Sequence, residues 1–286
     1  FLFHHTIKIK DLFMNILIVD GNEKEASDKY KEMGMDTQYE VYSKIIDNLS
    51  NNKFNTIVVH PAFKNDYLPY GVSLDDFDGI AWTGSVLNIY DMTPSIINQI
   101  ELAKKLFTKK NKIFGSCWGL QVLVNAAGGI IRKNPKGLEA VVAKNIEINE
   151  NGLNHKLYKG KNKNFDAFCW HYDETESLPE NSIVLASNQK SDVQSIYFEK
   201  NNCSVWAVQY HPEFNPTWIA GLMQQRKEIL LKENIFKNNL QFEAQQKFFF
   251  NYKKSNDKVR IKKYADLIDS KYHTLELENW LNEIKS

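Results

Sequence analysis

A chain of 286 residues with 43% hydrophobic content has room for one sizeable domain and an extension. Its formal net charge of +1 gives no global pull toward nucleic acid or an anionic membrane, and no apolar run approaches the length of a membrane span. Three cysteines, Cys117, Cys169 and Cys203, are too few and too odd in number for a disulfide framework, which points to a reducing cytoplasm.

Residues 1–13 precede Met14 without a signal-peptide layout, because His4 and His5 interrupt the apolar residues. They read as a leader or an over-extended start, and His4-His5 has no further ligand nearby to make a metal site. Asn15 to Asp20 is a continuous apolar run ending in Asp-Gly, which suits a central parallel strand. Asn22 to Met35 reads as a loop with a short helix, and Tyr39 to Leu49 has apolar residues at helical spacing. Phe54 to Val59 and Phe77 to Trp82 are the next strands. Strands alternating with helices predict an α/β fold with a doubly wound, mostly parallel central sheet flanked by helices. Thr93-Pro94 then opens a helix to about Thr108, with Ile96, Ile97, Ile100, Ala103 and Phe107 on one buried face. The basic run Lys109 to Lys112 at its end reads as solvated.

The chemistry concentrates in Gly115-Ser116-Cys117-Trp118-Gly119-Leu120-Gln121, between the strand end Lys112-Ile113-Phe114 and the helical Val122 to Ala127. A cysteine between two near glycines at a strand-to-helix junction is the thiol version of the nucleophile elbow. Such a turn points Cys117 Sγ out of the sheet over a helix N-terminus, whose dipole favours the thiolate. Cys169 and Cys203 lack this context and read as buried structural residues. Upstream, the glycine in Trp82-Thr83-Gly84-Ser85 reads by itself as a plain strand-end glycine, with a close backbone approach toward the Trp118 N–H as the alternative. Downstream, Gly137 to Ile148 suggests strands with a turn at Asn151-Gly152, followed by Phe168-Cys169-Trp170-His171-Tyr172-Asp173. Ser204 to Val208 reads as a strand leading into Gln209-Tyr210-His211-Pro212-Glu213. In extended backbone, residues i and i+2 share a side, so Glu213 can orient His211 as a general base. Asp173 follows His171 at the same spacing, so spacing alone leaves two candidate bases; the strand before His211 and the stiffening Pro212 favour His211.

With the elbow and the His-Pro-Glu in this order, the chain resembles the class I glutamine amidotransferases, in particular stand-alone members similar to the amidotransferase domain of GMP synthase. The likeness runs over residues 14–222 and implies the flavodoxin-like amidotransferase fold. It implies Cys117 as nucleophile, His211 as base and Glu213 as its orienting carboxylate. Backbone N–H groups of Gly84 and Trp118 would form the oxyanion hole, although Ser85 stands where the family often has proline. Gln121, His171, Tyr172 and Asp173 match positions that contact the glutamine substrate. No metal and no cofactor is called for. The resemblance implies hydrolysis of the glutamine side-chain amide through a γ-glutamyl thioester, with ammonia passed to a separate synthase. The chain lacks the Ser-Gly-Gly-x-Asp-Ser loop of a complete GMP synthase. The alternative is a free-standing γ-glutamyl peptidase or hydrolase acting on γ-glutamyl amides or glutathione-like conjugates; a non-enzymatic relative is the third reading.

Asn215-Pro216-Thr217-Trp218 starts a helix that continues toward Leu231, and residues 223–286 read as a helical C-terminal extension that packs on the domain or forms a homo-oligomer contact. Its basic cluster, Lys253-Lys254 and Lys258 to Lys263, is flanked by acidic residues and reads as a solvated helix face rather than an RNA site.

Overall fold

The computed structural model describes residues 14–64 and 67–286, so the leader and His4-His5 lie outside the described residues. Its strands are β1 (Met14–Val19), β2 (Phe54–Val59), β3 (Gly79–Trp82), β4 (Lys112–Ser116), β5 (Ile130–Lys133), β6 (Glu139–Ile148), β7 (Asn164–His171), β8 (Asp173–Ser177), β9 (Ile183–Ser187), β10 (Ser195–Lys200) and β11 (Cys203–Val208). Nine of them form one sheet in the order β2-β1-β3-β4-β11-β10-β9-β6-β7, while β5 and β8 pair separately. The strands from β2 to β11 run parallel to their neighbours. From β11 onward the ladders are antiparallel. The parallel half carries the elbow at the C-terminal end of β4.

The continuous apolar run of β1 has its cause in burial on both faces. Leu17 and Val19 pack into one core with the helices Pro94–Phe107 and Trp118–Ala126. Ile16 and Ile18 face the opposite core, built with the helices Gln38–Ser50 and Leu275–Lys285. Successive strand residues point to opposite faces, so a strand covered on both sides needs apolar residues throughout. Among the described residues no helix is long and apolar enough to cross a membrane.

Three local expectations need correction. Ile97 does not belong to the buried face of its helix: it is 42% exposed, while Leu102 and Leu106 supply buried positions instead. Asn151-Gly152 is not a hairpin turn but part of the short helix Glu150–Leu153, because Asn149 Oδ1 caps it by accepting from the Gly152 N–H at 2.9 Å. The helix from Pro216 stops at Gln225, and Arg226 (φ −118°, ψ 23°) breaks it from Lys227–Lys232.

The C-terminal helices pack against the sheet and its flanking helices. Leu277, Trp280 and Leu281 of the last helix are no more than 1% exposed beneath the parallel strands. Glu276, fully buried, accepts from Lys161 Nζ at 2.9 Å and from the Tyr210 hydroxyl at 2.7 Å. The last helix is thereby tied to the residue preceding His211. A buried ion pair holds its geometry only when its remaining polar atoms are also bonded, as Lys161 is to the Tyr272 carbonyl. Lys253, Lys254, Lys258, Lys262 and Lys263 are exposed to solvent.

Candidate active site

β4 ends in Ser116, the helix begins at Trp118, and Cys117 between them has φ 52° and ψ −102°. That left-handed, strained backbone is what a tight strand-to-helix turn imposes on a non-glycine residue. The flanking glycines are required by packing. A Cβ on Gly115 would lie 2.8 Å from the Gly119 carbonyl carbon, and one on Gly119 would lie 2.7 Å from the Trp82 oxygen. The turn is anchored to β11 by the Cys117 N–H, which donates to the Val208 carbonyl at 2.8 Å. Cys117 is 4% exposed, and Sγ donates to the Trp170 carbonyl at 3.4 Å.

His211 follows β11 as expected. Its Nδ1 lies 2.7 Å from Glu213 Oε1, so Nε2 is the ring nitrogen left for the cavity. The ring stacks on Phe214 with centroids 3.9 Å apart, and Phe214 stacks on Trp218 at 3.8 Å. Gly84 completes the cradle: the position of its missing Cβ is 2.7 Å from His211 Cε1 and 2.6 Å from Gln38 Oε1. Glu213, fully buried, also accepts from Ser116 Oγ at 2.9 Å, and Tyr42 OH lies 2.6 Å from Ser116 Oγ.

The rival histidine is engaged elsewhere. His171 Nε2 lies 2.9 Å from Glu139 Oε2, and Nδ1 lies 2.9 Å from the backbone oxygen of Asp173. Both partners are acceptors, so neither ring nitrogen is left to take a proton from a thiol. The Asp173 carboxylate itself accepts from Tyr90 OH at 3.2 Å rather than from His171.

A cavity of about 260 Å³ brings Cys117, Gln121, His171, Tyr172, Asp173 and His211 together on its wall. Glu213 stands behind His211; Gly84 and Trp118 are not among the lining residues, Gly84 lying against His211 Cε1 and Trp118 opening the helix after Cys117. Among the described residues no group of three or more His, Cys, Asp or Glu side chains is arranged to hold a metal ion.

A family model described as glutamine amidotransferase class-I matches residues 35–227. The chain belongs to the class-I glutamine amidotransferase family. It is 28% identical over 278 residues to a gamma-glutamyl-L-1-hydroxyisopropylamide hydrolase of Pseudomonas sp, covering 95% of this chain and 93% of that one. It is also 28% identical over 175 residues to a subunit of the glutamine-hydrolyzing GMP synthase of Methanosphaera stadtmanae, covering 60% of this chain and 87% of the relative. A crystal structure of a glutamine amidotransferase from Thermotoga maritima superposes with a TM-score of 0.61 at 15% identity, over 95% of this chain and 97% of the other. The family's fold is therefore shared by this enzyme.

The electrostatics of this amidotransferase modify one expectation. Burial pushes the Cys117 thiol well up, the Glu213 charge adds to that, and the Trp118 N–H at the helix start opposes them without prevailing. Burial thus works against the helix dipole and favours the neutral thiol. Burial likewise pushes the Asp173 carboxyl up from its ordinary value, against the bond from Tyr90. Burial would raise Glu139 too, yet the bond and charge of His171, with the Asn188 and Gln194 amides, hold it below its ordinary value.

Other residues of the site were not found from the sequence. Tyr30, Gln38 and Arg226 also line the cavity. Ser116 was visible inside the elbow motif, but nothing in its spacing reveals the bond to Glu213, 97 positions away.

Proposed function

We propose that the protein is a cysteine hydrolase of γ-glutamyl amides, releasing glutamate and the amine, which is ammonia when the substrate is glutamine. The observation that carries this reading is the His211–Glu213 pair opening onto the same cavity as the elbow cysteine. Cys117 Sγ attacks the γ-carboxamide carbon while its proton passes to His211 Nε2. Burial favours the neutral thiol, so the reading has this transfer accompany the attack. Backbone N–H groups of Gly84 and Trp118 hold the tetrahedral oxyanion. His211 then gives the proton to the departing nitrogen, the C–N bond breaks, and a γ-glutamyl thioester remains. Water, deprotonated by His211, attacks the thioester; glutamate leaves and Sγ recovers its proton. Gln121, Tyr172 and Asp173 contact the glutamyl half, and His171 stiffens that wall.

The test is release of glutamate and amine by the purified chain from glutamine and a panel of γ-glutamyl amides. Turnover that vanishes in Cys117→Ala supports the hydrolase, and turnover that persists in that variant removes it. A second reading, supported by the similarity to the GMP synthase relative, passes ammonia to a synthase docked on this chain. That reading expects glutamine as the sole substrate and a rise in kcat when the synthase is added. Three buried free thiols suit a reducing compartment such as the cytoplasm.

A further inference from the structure

Part of the cavity lining takes no role in the hydrolysis mechanism. That part comes from Tyr30, Gln38, Trp170, Leu222 and Arg226. Arg226 occupies the break after the helix Pro216–Gln225, with its guanidinium carbon 5.4 Å from the centre of the Trp170 ring. Trp170 is the residue whose carbonyl accepts from Cys117 Sγ. Stacking thus holds the guanidinium on the wall of the cavity that Cys117 and His211 also line. Among the described residues no carboxylate forms an ion pair with it, although Arg260 and Lys227 are both paired.

Gln38 supplies the second observation. It is 4% exposed; its Nε2 donates to Tyr30 OH at 3.4 Å, while Oε1 is buried with no partner. That oxygen lies against Gly84, beside His211 Cε1. A buried acceptor without a donor costs on the order of 1–3 kcal/mol, so a ligand that brings an N–H there is favoured. The Asp173 carboxylate, which suits an α-ammonium, lines the same cavity. The cavity wall therefore carries both a guanidinium and a carboxyl group.

We propose that the Arg226 wall is the subsite for the amine half of the substrate and that it selects amines bearing a carboxylate. The substrate class is then γ-glutamyl amino acids and short γ-glutamyl peptides. Arg226 takes the carboxylate through paired N–H groups, and Gln38 Oε1 accepts from the scissile amide N–H. This rests on the hydrolase reading above. A guanidinium fork fits a planar carboxylate bidentately, whereas a carboxamide offers a single acceptor and no charge.

The test compares kcat/KM for γ-glutamylalanine and γ-glutamylalaninamide, which differ only in that carboxylate, with glutamine as a third substrate. The unaltered enzyme should favour the acid on the order of tenfold or more, the scale of one charge-assisted hydrogen bond. Arg226→Gln should bring the ratio near unity, and Arg226→Lys should restore part of it. A ratio near unity in the unaltered enzyme, or a preference for the neutral amide, overturns the proposal. So does an Arg226→Gln loss equal for glutamine and γ-glutamylalanine, which would assign Arg226 to the glutamyl α-carboxylate. Calorimetric binding of the same pair to Cys117→Ala reads the preference without turnover. If no amide is hydrolysed at all, the hydrolase reading fails, while this binding ratio still decides the subsite.

Discussion

Removing the Ser116 hydroxyl isolates how the Glu213 carboxylate is held. Glu213 Oε1 accepts from His211 Nδ1 at 2.7 Å and from Ser116 Oγ at 2.9 Å, and Oε2 is buried without a partner. A carboxylate only accepts, so Ser116 must donate to it, and Tyr42 OH must donate to Ser116. Burial and the Glu213 charge keep the Tyr42 phenol well above its ordinary value, so this donor stays protonated. Ser116→Ala takes one of two hydrogen bonds from the carboxylate and leaves the fully buried Tyr42 hydroxyl unpaired. A hydrogen bond to a charged group contributes about 1.5–3 kcal/mol. If the whole of it acts in the transition state, where His211 becomes positively charged, kcat falls roughly tenfold to a hundredfold. KM moves little, because Ser116 does not line the cavity. Tyr42→Phe keeps the Ser116–Glu213 bond and should cost several times less. The assay is steady-state kinetics on a γ-glutamyl amide, with thermal unfolding to separate stability from catalysis. A Ser116→Ala enzyme with kcat within about twofold of the unaltered one would refute the relay.

Other outcomes follow from the same geometry. Gly119→Ala drives a Cβ to 2.7 Å from the Trp82 oxygen, so it should unfold the elbow or lower Tm by several degrees, and a Tm equal to that of the native chain would show the turn to be slack. Because burial raises Cys117, alkylation of the ligand-free enzyme by iodoacetamide should be slow near neutral pH and still climbing at about pH 9; a plateau beginning near pH 6 would mean a resting thiolate. Glu139 is held below its ordinary value of 4.5, so its stabilising effect is fully present above that value and is lost as pH falls through the lower folded value. Glu139→Gln should therefore flatten the acid limb of the stability curve, and an unchanged limb would place the acid sensitivity elsewhere. Trp280→Ala empties a fully buried site under the sheet and should cost about 3–5 kcal/mol by denaturant unfolding, a loss under 1 kcal/mol indicating that the last helix is dispensable.

Much of the fold could be read because its signals are local. The run at β1 and the apolar strand before Cys117 show burial on both faces without knowledge of what covers them. The elbow was visible because its demands are covalent and close: two glycines, one on each side of a strained cysteine. The choice between His211 and His171 was open on spacing, and the structure separates them by partners, Glu213 for one, Glu139 and a backbone carbonyl for the other. Ser116, Tyr42, Gln38 and Arg226 were out of reach because their roles depend on residues from distant elements meeting in space. The pattern at Leu277, Trp280, Leu281 and Ile284 announces an apolar helix face, but only the fold shows that it covers β1, β3 and β4. Ile97 misled for the complementary reason: helical spacing gives a stripe, and tertiary packing decides its width.

The most direct test of the central claim is intact-mass spectrometry of the enzyme after rapid acid quench during turnover of a γ-glutamyl amide. The expected result is a fraction of the chain heavier by one glutamyl group, attached at Cys117 and absent from Cys117→Ala. An adduct on another residue, or turnover with undiminished kcat in Cys117→Ala, would contradict it.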